Sequence, residues 1–260
     1  LIGLRRRDGR VIRVGHRGAA ALEPENTIRS FRRAVELGVD FVELDVLDLD
    51  DGTLVVAHSD DLAEVSHGEA SGRVRSLPLG ELRQAAAELP TFDEALEFLA
   101  TTDVGIHVDV KCRHRGDALA DALRRHGLVD RSVASAFWPG TLRELAAAEP
   151  RLAVALTYPE DRRGLARRRL LAPLVPPAVR LLGRSLPRRL PRLLGAAPVQ
   201  GAMLQYGVLS AAAVAASHAA GVAVWAWTVN TAEVLGEVLD AGVDGVISDD
   251  PSIFRATLPP

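Results

Sequence analysis

Short apolar runs alternate along the chain with stretches whose apolar residues recur every three or four positions, the pattern of strands interleaved with helices. Arg10 to Val14 reads as a strand running into Gly15-His16-Arg17-Gly18. After the extended Glu23-Pro24, Asn26 is expected to cap a helix that carries Ile28, Phe31, Ala34 and Val35 and closes at Leu37-Gly38. Thr91 is expected to cap a helix over Phe92–Ala100, with Glu94 at its third position as in a capping box. Further strands are predicted over Val104–Lys111, Ser132–Phe137, Leu152–Thr157, Gly201–Gln205, Val222–Thr228 and Gly245–Ser248. Helices are predicted over Leu79–Ala87, Asp117–Arg125, Pro139–Ala148, Ser210–Ala220 and Thr231–Ala241. The rest of residues 59–90 reads as irregular.

Phe41–Leu47 alternates apolar with acidic residues. Phe41, Glu43, Asp45 and Leu47 face one way, Val42, Leu44 and Val46 the other. A half-buried strand with two carboxylates on one face needs a partner for their charge: a metal ion, an Arg or Lys, or a raised pKa. Asp50-Asp51-Gly52 is a turn signal, and Thr53–Ala57 reads as a second short strand ending at His58. A hairpin centred between Asp50 and Asp51 sets His58 opposite Glu43.

With that hairpin treated as an excursion after the second strand, eight strands alternate with helices. Such alternation implies parallel pairing through right-handed crossovers and closure into a (β/α)8 TIM barrel. An open doubly wound sheet is the alternative, but no Gly-x-Gly-x-x-Gly follows a strand to support a dinucleotide-binding version. In a barrel, His16, Asp45, Lys111, Phe137 and Trp227 all stand near strand ends, where such a fold collects its site.

The 260 residues suit one domain over 1–260, and 48% hydrophobic against 4% aromatic residues implies a core of Ala, Val and Leu. A net charge of −3 argues against general nucleic-acid binding. Cys112 is the single cysteine, which excludes an intrachain disulfide and favours a reducing compartment. No apolar run reaches the length of a membrane span and no signal-peptide layout opens the chain, so a cytoplasmic location is expected.

Glu43, Asp45 and Asp109 make an all-oxygen set, which favours one divalent cation, Mg²⁺ or Ca²⁺, over zinc. Arg17 and Lys111 alone as counter-charges are the plainer alternative; three acids beside two histidines and a lysine favour the metal. His16 and His58 are strand-end imidazoles suited to acid and base work near neutral pH. His107, His114, His126 and His218 read as hydrogen-bonded structural residues, and His67 stays open. Arg17 and Lys111 suit a phosphate, one as a bidentate clamp and the other as a point charge. Phe137 and Trp227 offer an apolar wall to a small alcohol or glycerol group. Trp225 shares the parity of Trp227 and is expected deeper in the barrel, while Cys112 should face away from the mouth.

Residues 158–200 break the rhythm. The segment is Pro- and Arg-rich, and no acid occurs between Asp161 and Glu233. It follows the fifth core strand, which puts it on the active-site side. A pair of helices covering the barrel with solvated arginines is the first expectation; a lid, or peripheral contact with an anionic membrane, is the second.

With those residues in place, the chain resembles the glycerophosphodiester phosphodiesterase family, barrels of the PLC-like phosphodiesterase type. The motifs are Gly15–Gly18, Pro24-Glu25-Asn26-Thr27, Glu43–Val46, His58, Asp109-Val-Lys111, Ser135–Phe137, Trp227–Asn230 and Asp244–Asp249, in the family's order. The resemblance implies hydrolysis of glycerophosphodiesters to glycerol 3-phosphate and an alcohol, with His16 and His58 as the acid/base pair and Glu43, Asp45 and Asp109 as metal ligands. It also implies that Arg17 and Lys111 contact phosphate and that Glu25, Asn26, Phe137 and Trp227 help bind substrate. The expected partner is a small-molecule glycerophosphodiester, with no obligate protein partner. There are three departures: Ser59 stands where the family usually has Asp, Asp109 where Glu is commoner, and the Arg-rich segment is extra. An apolar lid would suit a lysophospholipase D acting at a membrane surface, and a third reading is a barrel that binds phospholipid headgroups without turnover.

Overall fold

The computed structural model describes residues 2–6, 8–66, 68–160 and 175–257. Its strands are β1 (Ile12–Gly15), β2 (Phe41–Asp48), β3 (Leu54–Val56), β4 (Gly105–Val110), β5 (Ser132–Ala136), β6 (Ala153–Tyr158), β7 (Gly201–Gln205), β8 (Ala223–Trp227) and β9 (Gly245–Ser248). All but β3 are parallel and close a barrel in the order β1-β2-β4-β5-β6-β7-β8-β9, with β9 paired to β1. The helices are α1 (Ile28–Glu36), α2 (Leu62–Val65), α3 (Leu79–Ala85), α4 (Phe92–Ala100), α5 (Gly116–Arg125), α6 (Pro139–Ala148), α7 (Val175–Leu194), α8 (Ala211–Ala219) and α9 (Ala232–Asp240). The barrel is the expected one, and the doubly wound alternative falls.

Strand alternation sorts side chains into two layers. Val42, Leu44, Val46, Ile106, Val108 and Val110 point outward and pack with Phe31, Phe92 and Leu96 of the helices. Val14, Phe41, Val133, Ala153, Ala155, Met203, Trp225 and Ile247 point inward. β2 is therefore buried on both faces rather than one. Trp225 lies deep, as expected, and Cys112 sits in the outer layer, where burial pushes its thiol up to about 12. Leu4, from a segment with no predicted element, enters the lower end of the barrel, and its carbonyl accepts a 2.9 Å bond from Trp225 Nε1.

Local signals place the helices. Thr91 and Glu94 form the expected capping box, and Ser210 and Thr231 cap α8 and α9. At α1 the cap is Thr27, whose hydroxyl accepts from the Ser30 N–H at 3.2 Å, and not Asn26. Asn26 lies one residue earlier at φ +60°, with its amide drawn to Asp45.

The hairpin also differs by one residue. β3 pairs antiparallel with β2 as Val46↔Val56, Leu47↔Val55 and Asp48↔Leu54, centred on Asp51. Gly52, at φ +91°, closes a three-residue loop instead of a two-residue one. The ladder ends where the Ala57 N–H donates to the Asp45 carbonyl, so His58 lies beyond the strand and not opposite Glu43. Residues 59–90 are less irregular than expected. They contain α2 as well as α3 and build a small core of their own from Leu62, Val74, Leu82 and Leu89 against Leu47 and Val55.

Within the Arg-rich segment, α7 is the barrel's own helix between β6 and β7, with Leu186, Leu190 and Leu194 in the outer core. The rest of the expected helix pair, residues 161–174, lies outside the described residues, as does His67. No described helix is long and apolar enough to cross a membrane.

Candidate active site

The inward-facing residues become polar toward the C-terminal ends of the strands. Phe41 gives way to Glu43 and Asp45 on β2, and His107 to Asp109 on β4, with Lys111 just beyond. The three carboxylates are buried, and each can offer an oxygen within 4.8 Å of the others. Parallel pairing of Glu43 with His107 and Asp45 with Asp109 enforces this: the two strands present their acids at matching heights.

Among the described residues, Lys111 and Arg17 are the lysine and arginine that pair with them. Lys111 Nζ lies 3.0 Å from Asp45 Oδ1 and bonds Asp109 as well. Arg17 Nε lies 3.1 Å from Asp45 Oδ2, while its Nη1 reaches Glu25 at 2.7 Å. Arg17 is at φ +50°, and this bend aims its backbone N–H at Glu43 Oε2, 2.7 Å away. The bend is tight: a Cβ on Gly18, at φ +85°, would meet the Ser30 backbone within 2.7 Å. Asn26 brackets Asp45, donating to Oδ2 at 2.9 Å and accepting its N–H at 3.2 Å.

Burial, then Asp45 and Asp109, push the Glu43 carboxyl well above the usual range. Burial opposes ionisation of Asp45 too, but Lys111 and Arg17 outweigh it and hold that group well below its usual range. Arg17 and Lys111 thus offset Asp45 and Asp109, and ionising Glu43 as well would leave a third negative charge that they do not match. A buried all-oxygen set whose third charge needs a further cation fits a hard divalent ion.

Asp109 is held from below. Its Oδ1 accepts from Ser135 Oγ at 2.5 Å and from Thr157 Oγ1 at 3.2 Å. His107 Nε2 lies 2.8 Å from the same Ser135 oxygen, whose single proton goes to the carboxylate, so His107 donates through Nε2. Burial pushes this imidazole down to about 4 and keeps it neutral. The other structural histidines pair as expected: His114 with Glu144, His126 with Asp93 and His218 with Asp244.

Both candidate catalytic imidazoles lie within electrostatic reach of Asp45. His16 Nδ1 is 2.5 Å from Asp249 Oδ1, and its Nε2 faces Glu43 Oε2 at 3.9 Å. Asn230 donates to the other oxygen of Asp249. His58 Nδ1 is 3.2 Å from Glu64 Oε1, and Ser59 Oγ donates to Glu64 Oε2 at 2.7 Å. Burial lowers the His58 pKa, and Arg17 and Lys111 add to this against the pull of Asp45. Asp249 and Glu64 had no role from the sequence. Asp249 lay unassigned in the last motif, and Glu64 in a stretch without a motif.

Phe137 lies under Lys111, its ring centroid 5.5 Å from Nζ, and Trp227 is fixed at the rim by Nε1 donating to the Met203 carbonyl at 2.9 Å. A cavity of about 240 Å³ opens between the Pro24–Thr27 loop and the 59–90 arm, with His58, Glu64 and Leu89 in its wall. The carboxylate trio does not line it; it adjoins the site on the His58 side.

The profile of the Glycerophosphoryl diester phosphodiesterase family matches residues 16–253. The chain belongs to that family. It is thereby an enzyme of phosphodiester hydrolysis. It is similar to the glycerophosphodiester phosphodiesterase of Caldanaerobacter subterraneus subsp. tengcongensis, 29% identical over 92% of this chain and 93% of the relative. Among solved structures it resembles the glycerophosphodiester phosphodiesterase of Thermotoga maritima, with a TM-score of 0.72, 24% identity and coverage of 95% of this chain and 98% of that one. A phosphodiesterase of Oleispira antarctica in complex with the product sn-glycerol-3-phosphate has a TM-score of 0.75, 23% identity and coverage of 95% and 96%.

Where the family usually has Asp after the second His, Ser59 holds Glu64 instead, and Asp60 is bound into the arm by Arg73 and Arg75.

Proposed function

We propose that this chain hydrolyses glycerophosphodiesters to sn-glycerol 3-phosphate and an alcohol by proton exchange between His16 and His58, with one divalent cation, Mg²⁺ or Ca²⁺, held by Glu43, Asp45 and Asp109. The observation that carries the reading is the gathering of three buried carboxylates, two cationic side chains and two carboxylate-held imidazoles at one barrel mouth. Arg17 and Lys111 bind the phosphate oxygens, and Phe137 and Trp227 wall the glycerol group. Glu25 and Asn26 support binding by orienting Arg17 and Asp45.

Asp249 holds the Nδ1 proton of His16, which leaves Nε2 to take the proton of the glycerol hydroxyl next to the phosphoester. That oxygen attacks phosphorus. His58, on the cavity side, whose protonated ring Asp45 and Glu64 favour against burial, gives a proton to the departing alcohol oxygen as the P–O bond breaks. Water then opens the cyclic phosphate, with His58 as base and His16 as acid. When bound, the cation supplies positive charge to the hydroxyl and phosphate oxygens. A barrel that only bound headgroups would have no use for two imidazoles each held by a carboxylate.

Chelation with EDTA should abolish release of glycerol 3-phosphate from glycerophosphocholine, and Mg²⁺ or Ca²⁺ should restore it. The same ions should raise the Tm of the wild type and not that of Asp45→Asn. His16→Ala should lose turnover while keeping its secondary structure by circular dichroism. Full turnover in chelator removes the metal assignment, and an active His16→Ala removes the proton route.

A further inference from the structure

We propose that the rim of the catalytic mouth docks on an anionic lipid bilayer through the exposed face of α7, so that the enzyme works with its site turned toward the membrane. The first observation is charge segregation. From Arg162 to Ala232 the sequence has ten arginines and no acid, in a chain whose net charge is −3. Of these, Arg180, Arg184, Arg188 and Arg192 recur every fourth residue along α7, and all four are exposed, as is Arg189. Spacing of this kind makes one continuous basic stripe. The neighbouring α8 has no acidic residue to neutralise it.

The second observation is where α7 stands. It has 20 residues, against 9 in α8 and 10 in α6, so it is about 30 Å long beside helices of about 15 Å. Its buried leucines, Leu186, Leu190 and Leu194, are all in the C-terminal half. The N-terminal half passes the turn Tyr206–Val208, which follows the C-terminal end of β7: Cβ positions on Gly183 and Gly207 meet Val208 and Val179. α7 therefore projects on the side where the active site opens.

The third observation is independent of charge. Among the described residues the exposed large hydrophobic side chains are Leu22, Leu181 and Tyr206, at 43%, 69% and 41% exposure. All three are at that same end of the molecule. Leu22 is in the loop after β1, Tyr206 in the turn after β7, and Leu181 on the projecting half of α7. Apolar residues at the rim with a basic stripe beside them form the pattern of a peripheral membrane face. Arg180 and Arg184 would sit at the headgroups with Leu181. Arg188 and Arg192 lie about 6 and 12 Å farther along the helix axis from Arg184, the first within and the second beyond the Debye length of about 8 Å at physiological salt.

The test uses the full chain and two kinds of vesicle, phosphatidylcholine alone and phosphatidylcholine with phosphatidylglycerol. Co-sedimentation is expected only with the second, and it should fall as salt rises. Arg180→Gln/Arg184→Gln should weaken binding at least about tenfold, and Leu181→Ser should weaken it at fixed salt. Both variants should turn over soluble glycerophosphocholine at the wild-type rate, which certifies their folding. Failure to bind phosphatidylglycerol vesicles at low salt overturns the proposal, as does undiminished binding by the variants. Binding to duplex DNA without binding to vesicles overturns it too. A protein that binds vesicles but hydrolyses nothing contradicts the catalytic reading instead, so the two failures are separable.

Discussion

His16 differs from His58 in who holds it, and the difference has measurable consequences. Asp249 sits 2.5 Å from His16 Nδ1 and is itself oriented by Asn230. Burial opposes ionisation of Asp249, but His16 and Asn230 outweigh it and hold the carboxyl below its ordinary range. Asp249→Asn frees His16 to take the wrong tautomer, and kcat should fall at least about 100-fold with little change in KM. The same group fixes a pH effect. A carboxyl whose folded pKa is depressed stabilises the fold above its unfolded value of about 3.9, and that contribution is lost as pH falls through the folded value. The Tm gap between wild type and Asp249→Asn should therefore be present at pH 7 and close below about pH 4. A gap that widens toward acid contradicts the pairing. The acids and imidazoles were legible because carboxylates are unusual on a buried strand and each imidazole follows the end of one. Their holders were not: Asp249 is 233 residues from His16, and only barrel closure of β9 onto β1 makes them neighbours.

At the level of elements, caps were readable to within a residue, Thr91 as expected and Thr27 in place of Asn26, while the hairpin register was not. Thr91 with Glu94 is a local signal and the structure keeps it. The hairpin register depends on whether Gly52 serves as a third loop residue, and one residue there moves every side chain to the other face. His58 still reaches the site because the arm, not the ladder, places it. That arm is a separate packing unit in which Leu82 is fully buried against Val74, Leu89 and Val55. Leu82→Ala should cost the arm about 2–5 kcal/mol. Because Glu64 rides on the same arm, kcat should drop at least about tenfold while the barrel's Tm moves little. Limited proteolysis should then cut within residues 59–90. If the arm is cut and turnover persists, something other than the arm positions His58.

At the scale of the molecule, the site rests on a column that begins at the barrel floor. The Leu4 carbonyl holds Trp225 Nε1; the Trp225 ring meets Phe41 at 4.9 Å and His107 at 5.7 Å, edge to face in each case. His107 binds Ser135, and Ser135 binds Asp109. Room for the two large rings is made by glycines: a Cβ on Gly105 would lie 2.4 Å from the Phe41 ring, and one on Gly245 2.6 Å from the Trp225 ring. Nothing in the apolar periodicity distinguishes these glycines from turn residues, which is why the floor could not be read from the sequence. Gly245→Ala should therefore overpack the column. Trp225 cannot yield without losing its bond to Leu4 or displacing His107, so the cost should be about 1–3 kcal/mol in urea unfolding. The effect should also be specific to that contact. Trp225→Leu, destabilising in the wild type by loss of a buried ring, should cost less in the Gly245→Ala background because it relieves the clash. Additive costs would mean that the barrel floor flexes freely and that the column does not transmit packing to Asp109.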